Sequence, residues 1–509
     1  MQHYIVTMLT PVDFIVVAVY ALGMAWIGWQ AKIRSSGIDD YFAAGHSLPW
    51  WMAAISHHVS GYSAVVFVGF AGKASTAGLS VWMLFSVPCF IAMMIGAVAW
   101  APRWSRLKVL TAVEYLEARY GNSVRFLIAL LGIGVKFIDL GIKLYAISIV
   151  IEVCTGWPVT PVILVSGIIT VAYVLIGGLW ASVLTDIVQF VVQLIVSAVL
   201  VTMVLSAVGG WSSMWDQLPP ERFQLLNAGA GIGIDFWIVY LVVVIFSYNG
   251  ATWGLAQRFI SVGDPRDTQK AALLSGFLFL LYPLVIFIPA WASPLLMPEF
   301  FDPTTLTPRE GFDVDQTYVR VALHYLADAA PGLIGLLVCS MFAATMSMID
   351  SDINALAGVF TKDIFERNAK SEVSAERMAR VARIATVAFG TAVIVTGVMV
   401  AEAEGMNKVF SATVKLFGAI LAPIAIPLMF GMLWSRTTAR GAILSVLGGF
   451  TAFAVLKSHY PDDFAIYTGG EILVALAIYF GEGLLARRTD SKEREVEQLF
   501  DRIKGIPPS

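Results

Sequence analysis

Ser347, Asp350, Ser351 and Asn354 recur at i, i+3, i+4 and i+7 within the apolar stretch MFAATMSMIDSDINALAGVF, so on a helix their oxygens line one face. A face of hydroxyl and carboxylate oxygens suits a hard cation such as Na⁺, by the logic that selects oxygen ligands for Ca²⁺ and Mg²⁺. Asp186 adds a carboxylate in another apolar run, GGLWASVLTDIVQFVVQ. A charge at the centre of a membrane span costs roughly 2.5–3.5 kcal/mol on insertion scales, so each acid needs a partner. Without an ion, the partners would be Ser, Gln189 and backbone groups, or a proton. Adjacent His57 and His58 stand in SHHVSGYS, flanked by Ser56, Ser60, Gly61, Tyr62 and Ser63. Imidazole titrates near neutral pH, so proton carriage is the competing chemistry. A second polar interruption, SYNGATWG, holds Ser247, Tyr248, Asn249, Gly250, Thr252 and Gly254. Lys136, Asp139 and Lys143 fall at i, i+3 and i+7, spacing that permits pairing along one helix. Lys415 has no acid on its own helix and is either partnered across helices or snorkelling. No Cys or His cluster has the spacing of a softer metal, and Cys89, Cys154 and Cys339 read as small packing residues.

The elements that must position these groups follow from composition. Asp, Glu, Lys and Arg make up 14% of the 509 residues, hydrophobic residues 58%, and the mean hydropathy is +0.77. An average soluble protein is about 25% charged, so a soluble enzyme of this length would lack polar side chains for its surface. A net charge of −3 leaves no basic footprint, which excludes nucleic acid as a partner class. Apolar runs recur from Pro11 to Leu485 with no polar domain between them. At roughly 20 residues per crossing they give an all-α, polytopic membrane unit of about 13 helices, at 11–30, 48–71, 77–100, 124–154, 158–176, 180–208, 233–253, 271–292, 331–360, 381–401, 406–431, 440–457 and 464–485. Barrel strands would instead alternate over about ten residues. With Met1 outside, 24 of the 33 Lys and Arg, Arg258 among them, fall in inside segments and six fall outside. That asymmetry predicts an outside N-terminus and a cytoplasmic C-terminus. The N-terminus has no basic n-region or cleavage site, so the first span is expected to be retained. The charged segment 486–509 reads as a solvated cytosolic tail helix, and the Pro-rich segment 293–330 as an outside lid or short helices.

Secondary transporters often bind their solute where corresponding helices of two inverted repeats are interrupted. The weak spans 2 and 7 lie five apart, which gives residues 1–47 as a peripheral helix and inside loop, 48–208 as a first repeat and 209–232 as an outside loop. Residues 233–431 form a second repeat, 432–485 two peripheral helices and 486–509 the tail. The bland alternative for either break is that Gly and Ser let neighbouring helices approach.

Six pieces, AGHSLPWWMAAIS, FVGFAG, TAVEYLEARYG, IGGLWASVLTDIVQ, AQRFISVGDPRDTQKAALLSG and DINALAGVFTKDIF, occur in order from about Asp40 to Phe365. In this the chain resembles the sodium:solute symporter family, which includes sodium-coupled sugar, proline, sialic acid and vitamin carriers. The resemblance implies a leucine-transporter-type 5+5 inverted repeat with added peripheral helices. It implies a shared Na⁺ site from backbone carbonyls near Val59 and Tyr62 plus two adjacent hydroxyl residues, which here are Ser347 and Met348. The second hydroxyl is missing, leaving Thr345 or water to complete the site. The family's additional cation site corresponds to Asp186, Asp350 and Ser351, where one hydroxyl has become a carboxylate. Solute contacts are expected from His57, His58, Ser63, Asn249, Thr252 and Trp253, with Gln257 nearby. Val65 and Val66 replace the polar pair of the sugar carriers. The expected function is Na⁺-coupled uptake of a small organic solute (sugar, organic acid or amino-acid-like) by alternating access, with proton coupling as the alternative and a transport-less sensor as a further one. No enzymatic activity, cofactor beyond the coupling ion or obligate protein partner is expected. The partners are solute and lipid bilayer, and the location a plasma membrane.

Overall fold

The computed structural model describes residues 9–34, 42–327, 329–369, 372–403, 408–486 and 490–506. Among them nine helices are long and apolar enough to cross a bilayer. The four expected spans outside that nine each have a visible reason. Span 2 is split into α2 (Trp50–Ser60), a wide π turn (Val66–Phe70) and α3 (Ala71–Ala77). Span 4 is a single helix, Asn122–Thr155, but carries Lys136, Asp139 and Lys143. Span 11 is cut by a π turn at Phe417–Leu421.

The fourth case corrects the sequence reading. Spans 5 and 6 were expected as separate helices, yet Val159–Ala207 is one uninterrupted helix of 49 residues, about 73 Å if straight. The expected connection holds only Gly177 and Gly178, with no Pro and no polar residue to stop the helix. Glycine alone costs a helix about 1 kcal/mol.

Taking labels in chain order, α1 (Pro11–Arg34) precedes α2 and α3, and α4 (Ser80–Ala99), α5 (Asn122–Thr155) and α6 (Val159–Ala207) follow. Then come α7 (Ile234–Phe246), α8 (Trp253–Ile260), α9 (Pro265–Leu281), α10 (Pro283–Leu296) and α11 (Leu333–Gly358). The lipid-facing periphery is evident on α1, where Phe14, Ile15, Val19, Leu22 and Trp26 are exposed. Asp13 anchors that helix by accepting the Gly335 amide at 2.8 Å at the head of α11. Inside, Phe67, Trp104, Phe259, Phe279, Phe287 and Trp291 are fully buried and fill the space between the broken helices and α9–α10.

The second break is held by close approach. The chain leaves helix at Gly250, whose φ of +154° is open to glycine and strained for other residues. Asn249 donates to Ala92 O at 2.9 Å and Ile245 O at 2.8 Å, while its carbonyl accepts the Trp104 indole N–H at 2.8 Å. Gly96 on α4 makes this possible, because a Cβ there would lie 1.7 Å from Asn249 Oδ1. Gly96→Ala therefore displaces Asn249. We expect about 1–3 kcal/mol of destabilisation from overpacking, read as a lower detergent melting temperature, whereas Gly134→Ala, which meets open space on α5, leaves it unchanged.

The tail also departs from expectation. Residues Asp490–Lys504 are helical, but Val496, Leu499, Phe500 and Ile503 are buried. Arg106 donates to Ile503 O at 3.0 Å, and Arg502 bonds to Leu107 O, so the helix docks on the segment after α4 rather than standing in solvent.

Candidate functional site

Helix α2 ends at Ser60, and its last carbonyls, that of Val59 among them, have no amide one turn on. Tyr62 and Ser63 lie in the unwound stretch, and helix resumes at Ala64. The break is tied to α11 by the Ala64 amide, which donates to Thr345 Oγ1 at 2.9 Å, and to the second break by Tyr248 Oη, which donates to Gly61 O at 2.6 Å. Opposite, a π turn at Ser247–Ala251 leads into extended Thr252, with Ser247 Oγ and Thr252 Oγ1 3.1 Å apart. A cavity of about 50 Å³ lies between the two breaks, lined by Ser63, Lys143, Ser247, Tyr248, Thr252 and Met348 together with aliphatic and aromatic side chains. One water needs roughly 10–15 Å³ on this scale, so the space is small but real.

Two buried charge groups flank the cavity. In the first, Lys136 Nζ lies 2.9 Å from both Asp139 Oδ2 and Asp352 Oδ2, and Lys143 Nζ lies 2.6 Å from Asp139 Oδ2 and 3.8 Å from Asp352 Oδ2. The pairing within α5 matches its residue spacing. Asp352, the partner across on α11, was not anticipated. It also accepts the Gly254 amide at 3.2 Å, at the start of α8. This group is neutral, two cations against two anions.

The second group surrounds Arg258, which the charge count had placed in an inside loop. Arg258 is instead fully buried on α8. Its Nε donates to Ser56 Oγ at 3.0 Å and its Nη1 to Gly254 O at 3.0 Å. Its Nη2 reaches Ser351 Oγ at 2.6 Å, Ser60 Oγ at 2.9 Å, Ser182 Oγ at 3.3 Å and Asp186 Oδ2 at 3.4 Å. Asp186 also accepts from Ser56 and Ser347. Ser351 Oγ lies 2.6 Å from Ser347 O, 2.8 Å from Ser182 Oγ and 3.0 Å from Asp350 Oδ1. Four of the expected cation ligands, Asp186, Ser347, Asp350 and Ser351, are thus brought together, with a guanidinium already among them. Among the described residues no Lys or Arg nitrogen comes within salt-bridge distance of Asp350. With both carboxyls ionised the group carries one net negative charge.

Of the expected solute residues, the cavity takes Ser63 and Thr252. His57 is directed to Ser275 Oγ (2.8 Å) and Tyr248 O (3.2 Å) and stacks on Phe259, ring centroids 4.7 Å apart. His58 sits in an aromatic box of Tyr62, Phe190, Phe279 and Tyr282. Asn249 is occupied by the backbone bonds described above, and the indole of Trp253 lies against Gly132 on α5. These four therefore stand outside the lining, because each packs on the rear face of a broken helix. Met348, which stands where a second hydroxyl was expected, faces the cavity, and Thr345 Oγ1 is engaged by the Ala64 amide and Met341 O.

An oxygen-lined, doubly broken helical core of this kind defines a membrane transporter. The sodium:solute symporter family matches residues 41–449, and the chain belongs to that family. It is 26% identical over 493 residues to the sodium/glucose cotransporter of Vibrio parahaemolyticus, covering 90% of this chain and 88% of that one. It is 24% identical over 506 residues to the sodium/sialic acid symporter NanT of Aliivibrio fischeri, covering 94% and 95%. The solved substrate-bound, outward-open Na⁺-coupled sialic acid symporter superposes with a TM-score of 0.78 at 20% identity, over 94% of this chain and 98% of that one. The fold is accordingly all-α and of the leucine-transporter type, and the protein is a multi-pass, sodium-coupled solute symporter.

Proposed function

We propose that this symporter moves one monovalent cation, Na⁺, with one small organic solute, and that Asp350 is the residue whose charge the ion neutralises. The observation that carries the reading is the single net negative charge left in the Asp186–Arg258–Asp350 group. An uncompensated charge in a dry interior costs several kcal/mol, so the empty carrier has a standing demand for one positive charge. Asp350, Ser351, Ser182 and Ser347 supply hydroxyl and carboxylate oxygens suited to a hard cation, and the broken α2 supplies free carbonyls at Val59 and Tyr62.

Ion and solute then assist one another through shared elements. Cation binding draws α11 toward the first break, the α2–α11 tie at Thr345 fixes Ser63, and a solute bound at Ser63 and Thr252 stabilises the same arrangement. Such coupling is reciprocal, typically 1–3 kcal/mol. Release of the ion into a low-Na⁺ interior weakens solute binding and frees it. In this reading residues 48–208 and 233–431 are the two rocking halves, the N-terminus lies outside a plasma membrane, and no enzymatic step is involved.

Proton coupling is the second reading, favoured by Met348 in place of a hydroxyl and by a carboxylate at 350. Uptake into proteoliposomes separates the two. Accumulation driven by a Na⁺ gradient at equal pH supports Na⁺ coupling, and accumulation driven only by a pH gradient replaces it with proton coupling.

A further inference from the structure

The geometry points to a solute that carries one carboxylate, bound by the ammonium of Lys143, so that Na⁺ and solute cross together without net charge. This rests on the one-cation reading above and adds the chemical class of the solute to it.

Among the described residues lining the cavity, Lys143 is the one charged side chain. It is 3% exposed, so its ammonium meets no bulk water. An ammonium has three N–H donors. One is committed to Asp139 at 2.6 Å, while Asp352, at 3.8 Å, is beyond hydrogen-bond reach. The two carboxylates are served mainly by Lys136, which lies 2.9 Å from each. Lys143 therefore presents unspent donors to the cavity, and an acceptor placed there gains a charge-assisted bond, roughly twice as strong as a neutral one.

The rest of the wall narrows the class further. Ser63, Ser247 and Thr252 offer hydroxyls on one side, and Tyr62, Phe70 and Phe85 offer ring surfaces on another. Val65, Val66, Val243, Val244 and Leu255 complete an otherwise apolar lining. A hydroxyl-rich neutral sugar needs many convergent polar groups, and a cationic solute would face Lys143 directly. A compact organic acid, with its carboxylate on Lys143 and its body against the rings, satisfies both constraints. Charge then follows by addition: one Na⁺ and one carboxylate sum to zero, so the membrane potential does no net work on the transported pair.

The test uses the full chain in proteoliposomes with matched probes, labelled lactate against propane-1,2-diol and glucuronate against glucose, each with and without a Na⁺ gradient. The expected result is Na⁺-dependent accumulation of at least one acid well above its neutral counterpart. Its steady-state accumulation ratio should be unmoved by an imposed potassium diffusion potential. A neutral solute with one Na⁺ would instead gain about fifty-fold per 100 mV, inside negative. Lys143→Arg should retain the preference for the acid and Lys143→Gln should lose it. Both should keep the Na⁺-induced rise in melting temperature, which shows that the cation group still folds. Na⁺-dependent uptake that favours the neutral member of every pair, or accumulation that follows the potential at the fifty-fold slope, overturns the inference while leaving Na⁺ coupling intact. Uptake of an acid without any Na⁺ dependence overturns the underlying one-cation reading instead.

Discussion

Asp350→Asn is expected to lower the apparent Na⁺ affinity of uptake by about thirty-fold, or about 2 kcal/mol, and to raise the melting temperature of the Na⁺-free protein. The two effects have one cause. Arg258 offsets one carboxylate of its group, and Asp350 has no such partner within reach among the described residues. Two unit charges 4 Å apart at an effective dielectric near 20 interact by about 4 kcal/mol. The hydroxyls that remain and the cost of dehydrating the ion reduce what is lost. Asparagine keeps the shape of the carboxylate but carries no charge, so the empty protein no longer holds an unpaired anion and gains stability. Na⁺ then stabilises the variant little. Na⁺-dependent uptake and melting curves unchanged from the parent would remove Asp350 from the cation site.

Arg258→Gln should act in the opposite direction. It leaves two buried carboxylates without their guanidinium, and breaking a buried ion pair from one side costs about 3–5 kcal/mol. The variant is expected to be poorly stable without Na⁺ and to recover as Na⁺ rises, because a ligand that binds only the folded state stabilises by mass action. With a net charge of −2, the Na⁺ dependence should steepen, its Hill coefficient moving from 1 toward 2. The double variant Arg258→Gln with Asp186→Asn returns the group to −1 and should restore a Hill coefficient of 1. A single-ion dependence in both Arg258→Gln and the parent would mean that the guanidinium does not stand in for a cation.

These expectations rest on features the sequence shows unequally. The two breaks were legible because Gly, Ser and Asn interrupt otherwise apolar runs, and the helix does end at Ser60 and again before Thr252. The Lys136–Asp139–Lys143 pairing was legible because spacing along one helix dictates it. Its fourth member was not. Asp350 and Asp352 lie two residues apart, about 200° around a helix, so they serve different groups, and only the neighbouring helix decides which. Arg258 was misjudged because it follows the second break, and a charge just past an apolar run resembles a loop residue. The chain re-enters helix at Trp253 and carries the guanidinium back into the core. For His57 and His58 residue type suggested a site, but helix rotation turned both away from the cavity. The docked tail had a usable signal: Val496, Leu499, Phe500 and Ile503 recur at i, i+3, i+4 and i+7, an apolar stripe among many charges.

The most direct test is equilibrium binding of radiolabelled Na⁺ to the purified full-length protein, with stoichiometry measured for the parent and for Asp350→Asn. One Na⁺ per chain in the parent, lost in the variant, is the predicted result. Two ions per chain in the parent, or one ion bound equally tightly after Asp350 is neutralised, would contradict it.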